Sequence, residues 1–223
     1  MKRAFDLFIS LTGLIVLFPI LIPVMIILLC TGEHYILYFQ PRVGKKGKIF
    51  NIIKFSTMLK DSPNIGTFDI TVKNDPRIFP FGQFLRRTKI NEIPQLFNVL
   101  MGDMSMIGPR PLTQRVFNFY SPEQQEMIIK LKPGLSGVGS IIFREEATML
   151  AMSKLSLEDT FRLLLNPHKA TLEQWYLENQ TFWVDIKILC LTILSLFNRN
   201  TRLPYKWLKE LPELPDKLRH PDQ

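Results

Sequence analysis

Two cysteines and three histidines are all that the 223-residue chain carries of those types. Cys30 and Cys190 both lie in apolar runs, which speaks against a disulfide framework and against a thiolate metal centre. His34, His168 and His220 are scattered, with none at metal-ligand spacing. No internal repeat is visible, and no RNP-like, zinc or helix-turn-helix signature appears. A membrane-tethered nucleic-acid binder therefore has charge in its favour and nothing else. Charge itself is sparse for a disordered chain, 22% against 46% apolar residues. What remains is positive: 28 Lys and Arg exceed 20 Asp and Glu, leaving a net +8. That balance suits a phosphate-bearing partner such as a nucleotide or an anionic lipid surface.

Charge is also missing from Leu7 to Cys30. As a helix, this stretch would reach about 36 Å, enough to cross a hydrocarbon core of about 30 Å. A signal peptide would have a shorter apolar core and a small-residue cleavage site. Here the run passes through Thr-Gly-Glu-His into structured-looking sequence. Pro19 and Pro23 interrupt it, each removing a backbone donor. Cations flank both ends: Lys2 and Arg3 before, then Arg42, Lys45, Lys46 and Lys48. A kinked span leaves Lys2 and Arg3 on the far face and the larger second set in the cytoplasm, whereas a helix broken near Pro19 that enters and leaves on one face keeps both sets inside. Both put the globular part in the cytoplasm.

After the anchor, alternating apolar residues up to Val43, a Gly-Lys-Lys-Gly turn and the β-branched run Ile49 to Phe55 predict a β-hairpin. Lys60 to Lys73 reads as loop. A short helix carrying Phe84 and Leu85 follows. The next helix is predicted to start near Asn91, with Asn91 as N-cap and Glu92 in the first turn. Pro94 is tolerated there, Leu96, Phe97, Val99 and Leu100 form the buried side, and Gly102 ends it. A helix start attracts phosphate, and Arg86, Arg87 and Lys89 add full charges. Glu92 suits magnesium, which takes oxygen ligands. Gly108-Pro-Arg-Pro111 is a rigid turn able to aim Arg110 at two phosphate oxygens. The same residues also describe a capped surface helix with solvated cations.

The stretches "KRAFDLFISL", "FQPRVGKKGKIFNIIKFSTM", "NDPRIFPFGQFLRRTKINEIPQLFNVLMGDMSMIGPRPL", "LKPGLSG" and "WYLENQTFWVDIKIL" resemble the bacterial sugar transferases, the monotopic phosphoglycosyl transferases. The resemblance covers roughly Lys2 to Leu196. It implies a re-entrant membrane helix broken at a proline, with Pro19 as the break. It implies transfer of a phosphosugar from a UDP-sugar to polyprenyl phosphate, release of UMP and a requirement for Mg2+. The product would start an O-antigen, capsule or other exopolysaccharide. The family's Asp-Glu pair falls on Asn91-Glu92, where the Asp attacks the sugar-linked phosphate and the Glu assists the metal. Lys54 and Arg110 match the family's Lys-Phe-Arg-Ser-Met lysine and Pro-Arg-Pro arginine, and Arg87 belongs to the retained signature. These three are the expected phosphate binders.

Three departures stand out: Asn91 for Asp, Ser56 for Arg, and "VGSIIFREE" after "PGLSG". An amide cannot supply the carboxylate of an acyl-phosphate intermediate. Transfer would then use Glu92 as nucleophile or direct attack by the lipid phosphate, with Glu145 or Glu146 as substitute acids. Alternatively the chain binds nucleotide-sugar or lipid phosphate without turnover, or Asn91 is an introduced change.

The fold expected is α+β and mostly helical: a re-entrant membrane helix over 1–32, a cytoplasmic transferase domain over 33–200 and a tail over 201–223. Interfacial amphipathic helices are expected in the C-terminal third, with helices over Ser121–Lys132, Ala147–Leu165 and Leu172–Phe197. Trp175, Tyr176, Phe182 and Trp183 suit either a membrane interface or the core. The tail from Leu203 reads as loosely ordered. Expected partners are UDP-sugar, polyprenyl phosphate and membrane lipids, with no nucleic acid, and the sequence permits a homo-oligomer. The expected place is the bacterial inner membrane.

Overall fold

A computed structural model describes residues 1–65, 70–72, 75–197 and 202–215. The fold is mostly helical, with two small two-stranded sheets among the described residues. Helix α1, Lys2–Cys30, is one continuous helix that includes Pro19 and Pro23. The expected break at Pro19 is therefore corrected: helix continues on both sides of it, and no turn separates two arms. What the prolines do remove is the amide that would bond to the carbonyls of Ile15 and Pro19.

One face of α1 lies along the rest of the protein. Phe5, Ile9 and Leu14 pack on the main core, while Leu21, Val24 and Leu28 are buried against Phe55 and Leu85. Its other face exposes Phe8, Leu11, Ile15, Val16, Phe18, Ile22, Ile26 and Leu29. Both ends of a helix about 43 Å long thus touch the same body.

The hairpin forms as the alternation predicts. Strand β1, Leu37–Val43, pairs antiparallel with β2, Ile49–Phe55, from Leu37 opposite Phe55 to Val43 opposite Ile49. Part of the predicted Lys60–Lys73 loop lies outside the described residues; its Ser62–Asn64 forms a 3-10 turn. Helix α2 is Pro80–Arg87. The helix expected from Asn91 is two pieces, a 3-10 turn Ile90–Glu92 and helix α3, Gln95–Met101. Pro94 sits at the N-cap of α3, so Asn91 lies outside α3 and does not cap it. Gly102 ends α3 at φ 94, as only glycine does without strain. Leu96 and Val99 are buried, but Phe97 is exposed and Leu100 only half-buried.

Strand β3, Ser105–Ile107, precedes short helix α4, Gln114–Phe117, and helix α5, Pro122–Ile128. α5 opens on a reciprocal Ser121–Gln124 capping box, matching the sequence signal. Strand β4, Gly134–Ser136, returns parallel to β3. The approach is backbone on backbone: a Cβ on Gly134 would lie 2.1 Å from Gly108 N, and one on Gly108 2.2 Å from Lys132 O. Both positions therefore require glycine.

Helix α6, Val138–Ile142, and helix α7, Glu146–Met152, follow. The predicted Ala147–Leu165 helix is divided into α7, α8 (Leu157–Asp159) and a π-helical turn Thr160–Leu165. The predicted Leu172–Phe197 helix is likewise two: α9, Asn166–Asn179, and α10, Phe182–Phe197. Trp175 and Tyr176 fill the core, whereas Trp183 is 70% exposed. Helix α11, Leu203–Trp207, leads to Leu208, Leu211 and Leu214, all buried in the main core. The expectation of a loose tail is corrected for these residues.

Asn98 shows how packing on α3 fixes the hairpin. It is fully buried; its Nδ2 donates to Asn51 O at 2.8 Å and its Oδ1 accepts from Ile53 N at 2.9 Å. Asn98→Ala strands both backbone groups and is expected to cost about 2–4 kcal/mol, read by denaturation in detergent. Phe97→Ala, on the exposed side, is expected to change stability far less.

Candidate active site

The site is built where β2, the Ile90–Glu92 turn and the Gly108–Pro111 turn meet. Lys54 projects from β2, in the stretch pinned by Asn98. The chain reverses at Lys89, held left-handed at φ 61, and so places Asn91 and Glu92 beneath β2. Arg110 follows β3 and is aimed by the glycine contacts described above. Its turn is tied down on two sides: Gly134 N donates to Pro109 O at 2.8 Å, and Arg42 Nη1 donates to Pro111 O at 3.0 Å.

Two cations converge on one carboxylate oxygen. Lys54 Nζ lies 3.3 Å from Glu92 Oε1, and Arg110 Nη2 lies 3.8 Å from the same atom. Glu92 and Lys54 are mostly buried, while Arg110 is 51% exposed and available to a ligand. Burial alone would raise the Glu92 pKa, but Lys54, Arg110 and Lys89 outweigh it and hold the group far below the carboxylate range. Burial pushes Lys54 down to about 7; Glu92 opposes that shift, and Arg110 and Arg42 add to it. Lys89 also falls: Glu92 supports its charge, yet burial with Arg110, Arg144 and Arg86 prevails. Positive charge thus exceeds what Glu92 neutralises.

Each predicted residue has a definite place. Lys54, Glu92 and Arg110 are brought together. Asn91 is beside them, 6% exposed, with Oδ1 buried and unpartnered. Arg87 is not in the cluster: it lies on the outer side of α2, along a shallow groove with Pro80, Gln83, Phe84 and Thr88. Its neighbour Arg86 turns inward, donating to Thr57 Oγ1 at 2.8 Å and Thr71 Oγ1 at 3.1 Å. Burial lowers the Arg86 pKa, against the charge of Glu92. The phosphate-attracting helix start also needs correction, because α3 begins at Gln95 and is only seven residues long. The field at Glu92 comes from side chains.

Glu146, a candidate substitute acid, pairs with Lys169 at 2.9 Å. Burial raises its pKa, but Lys169 and then Arg110 bring it below the ordinary value. Arg42, expected only as a membrane-flanking cation, instead holds the Pro111 carbonyl, and Asn98 has a structural part that no sequence expectation assigns it. A buried amide within an apolar helix face was the one available signal for Asn98.

Among the described residues no three metal-ligating side chains cluster. Glu92 and Asn91 are the residues that could hold magnesium. Both cations use Glu92 Oε1, Asn91 offers an orphaned amide oxygen next door, and this ion commonly takes one or two carboxylates plus substrate phosphates.

The profile of the bacterial sugar transferase family matches residues 1–199. The chain belongs to that family. It is 32% identical over 214 residues to an undecaprenyl-phosphate galactose phosphotransferase of Salmonella typhimurium, covering 90% of this chain and 41% of the relative. It is 33% identical over 205 residues to an undecaprenyl-phosphate glucose phosphotransferase of Komagataeibacter xylinus, covering 89% and 36%. An uncharacterised sugar transferase of Bacillus subtilis is 33% identical over 198 residues, covering 86% and 85%. The chain thus spans about two fifths of the length of the first two relatives.

A bound diphosphate would stabilise charged Lys54. Free Lys54 is largely neutral above pH 7 and charged below it. If the site takes a diphosphate, UDP binding at pH 8 is expected to take up a proton, and binding at pH 6 is not. Titration calorimetry in buffers of different ionisation enthalpy reads this directly. Zero uptake at pH 8, or uptake that persists in Lys54→Arg, contradicts the assignment.

Proposed function

We propose that this bacterial sugar transferase moves a phosphosugar from a UDP-sugar to polyprenyl phosphate, yielding polyprenyl-diphospho-sugar and UMP. The observation that carries the reading is the convergence of Lys54 and Arg110 on Glu92. Their excess charge suits a diphosphate, and Arg110 has the exposure and fork geometry to engage two of its oxygens. Relatives named for undecaprenyl-phosphate sugar transfer support the substrate class.

The apolar face of α1 rests in the bilayer. Because both ends of α1 pack on one body, that body stays on one side, which we take to be the cytoplasm. The monotopic arrangement is thus retained as a proposal, with the unbroken α1 held against the domain.

The lipid phosphate oxygen attacks the sugar-linked phosphorus, and the bond from that phosphorus to the bridging oxygen of UMP breaks. UMP departs with the bond pair, its charge met by Arg110 and Lys54. Asn91 cannot form the acyl phosphate and Glu92 is engaged by two cations, so a single displacement is favoured over a covalent intermediate. Glu92 and Asn91 would hold Mg2+, which when bound supplies charge to the phosphates. The missing carboxylate at Asn91 also supports a second reading, a member that binds nucleotide-sugar or lipid phosphate without turnover.

UMP release across a panel of UDP-sugars is the test. Release is expected only with Mg2+ and polyprenyl phosphate together, with a sequential kinetic pattern and no phosphosugar adduct on the protein by mass spectrometry. Lys54→Met and Arg110→Met are each expected to cost 100-fold or more, about 3 kcal/mol of transition-state stabilisation. Release confined to Asn91→Asp would favour the non-catalytic reading.

A further inference from the structure

The two cations at the start of α1 are not used as membrane flanks. Lys2 Nζ donates to Asp185 Oδ2 at 2.6 Å, to Tyr176 Oη at 3.1 Å and to Ile107 O at 3.1 Å. Tyr176 Oη in turn donates to Asp185 Oδ1 at 2.5 Å. Arg3 donates to Val99 O at 2.6 Å and Leu100 O at 2.7 Å. Asp6, 3% exposed, accepts from Met106 N at 2.9 Å and from Ser105 Oγ at 2.9 and 3.0 Å.

These contacts fall on two site-bearing segments. Ser105, Met106 and Ile107 are the whole of β3, and Arg110 follows three residues later. Val99 and Leu100 belong to the last turn of α3, whose entry is the Asn91–Glu92 turn. Further along α1, Gly13 meets Leu96: a Cβ there would lie 3.2 Å from Leu96 Cδ1. A hydrocarbon anchor needs none of this. Burying Asp6 is costly unless its charge is satisfied, and the donors that satisfy it belong to β3.

We propose that the first turn of α1 is a positioning element of the reaction site: Lys2, Arg3 and Asp6 fix the separation of Arg110 from Glu92. The role rests on the proposed transfer reaction, but the coupling itself is measurable without turnover. On this account the membrane helix is the rear wall of the site, and seating it correctly in the bilayer is a condition for the cations to meet.

The test uses the full chain in nanodiscs and compares Asp6→Ala, Asp6→Glu and Lys2→Met with Ile15→Ala on the exposed face. Hydrogen exchange of residues 105–112 and the affinity for UDP are measured beside the melting temperature. Asp6→Ala and Lys2→Met are expected to speed exchange at Met106 and Gly108 at least tenfold and to weaken UDP binding about tenfold. Asp6→Glu is expected to recover part of both, and Ile15→Ala to change neither. If Asp6→Ala fails to fold, Lys2→Met and Asp6→Glu decide. Lowered melting with unchanged exchange over 105–112, or with full UDP affinity in the folded fraction, overturns the proposal in favour of plain stabilisation. If the unaltered chain binds no UDP, the transfer reading fails, and the exchange measurement still judges the coupling.

Discussion

A single carboxylate with more positive charge around it than it can neutralise organises this protein. Glu92 is buried, which by itself would favour the neutral acid, yet Lys54, Arg110 and Lys89 keep it ionised. The reverse constraint acts on Lys54, whose charge is made marginal near neutrality by the same burial. Such a cluster is poised: on the proposed reading, a diphosphate would add the negative charge that the cations lack. Since desolvating lone charges is costly, the arrangement makes sense as a receptor for anions more than as a stabilising ion pair. In the unliganded fold Lys54 carries that cost below about pH 7, and it is relieved as the pH rises toward the ordinary lysine value of 10.5.

Nothing in the local chain would hold the three groups together. The hairpin, the Lys89 reversal and the Gly108 turn are each short, and their relation is set by neighbours. Asn98 fixes β2, Gly134 and Arg42 fix the Gly108 turn, and α1 lies behind all of them. Leu14 of α1 and Ile93 each pack beside both the main core and the cluster of Leu21, Val24 and Leu28, so the residue next to Glu92 shares its packing with α1. Helix α1 and the site are consequently one packing unit, which accounts for an apolar helix that carries a buried Asp6 and two engaged cations at its start.

Much of this was legible in the sequence, and the unread parts have physical causes. The hairpin was readable because its alternation and its glycine-lysine turn are local signals. Gly102 and Ser121 were readable for the same reason. The helix entry at Asn91 was misread because Asn is a good N-cap in isolation; Pro94 and the left-handed Lys89 instead move the helix start to Gln95. Arg86 and Arg87 differ only in which way α2 turns them, which depends on α2 packing beside Thr57. Lys2 and Arg3 read as flanks because partners such as Asp185 and Val99 are far along the chain. Family membership was legible from the Arg86–Pro111 block, and residues 1–199 match the family.

On the proposed reading, Glu92 is a counter-charge that a diphosphate displaces from its cations. The most direct measurement is UDP affinity of Glu92→Gln against the unaltered chain, at pH 6 in EDTA, where no metal contributes. Removing the carboxylate is expected to free Arg110 and to tighten binding about threefold or more, with the bound diphosphate in place of Glu92 supporting the charge of Lys54. Binding that is unchanged or weaker in Glu92→Gln would contradict the account.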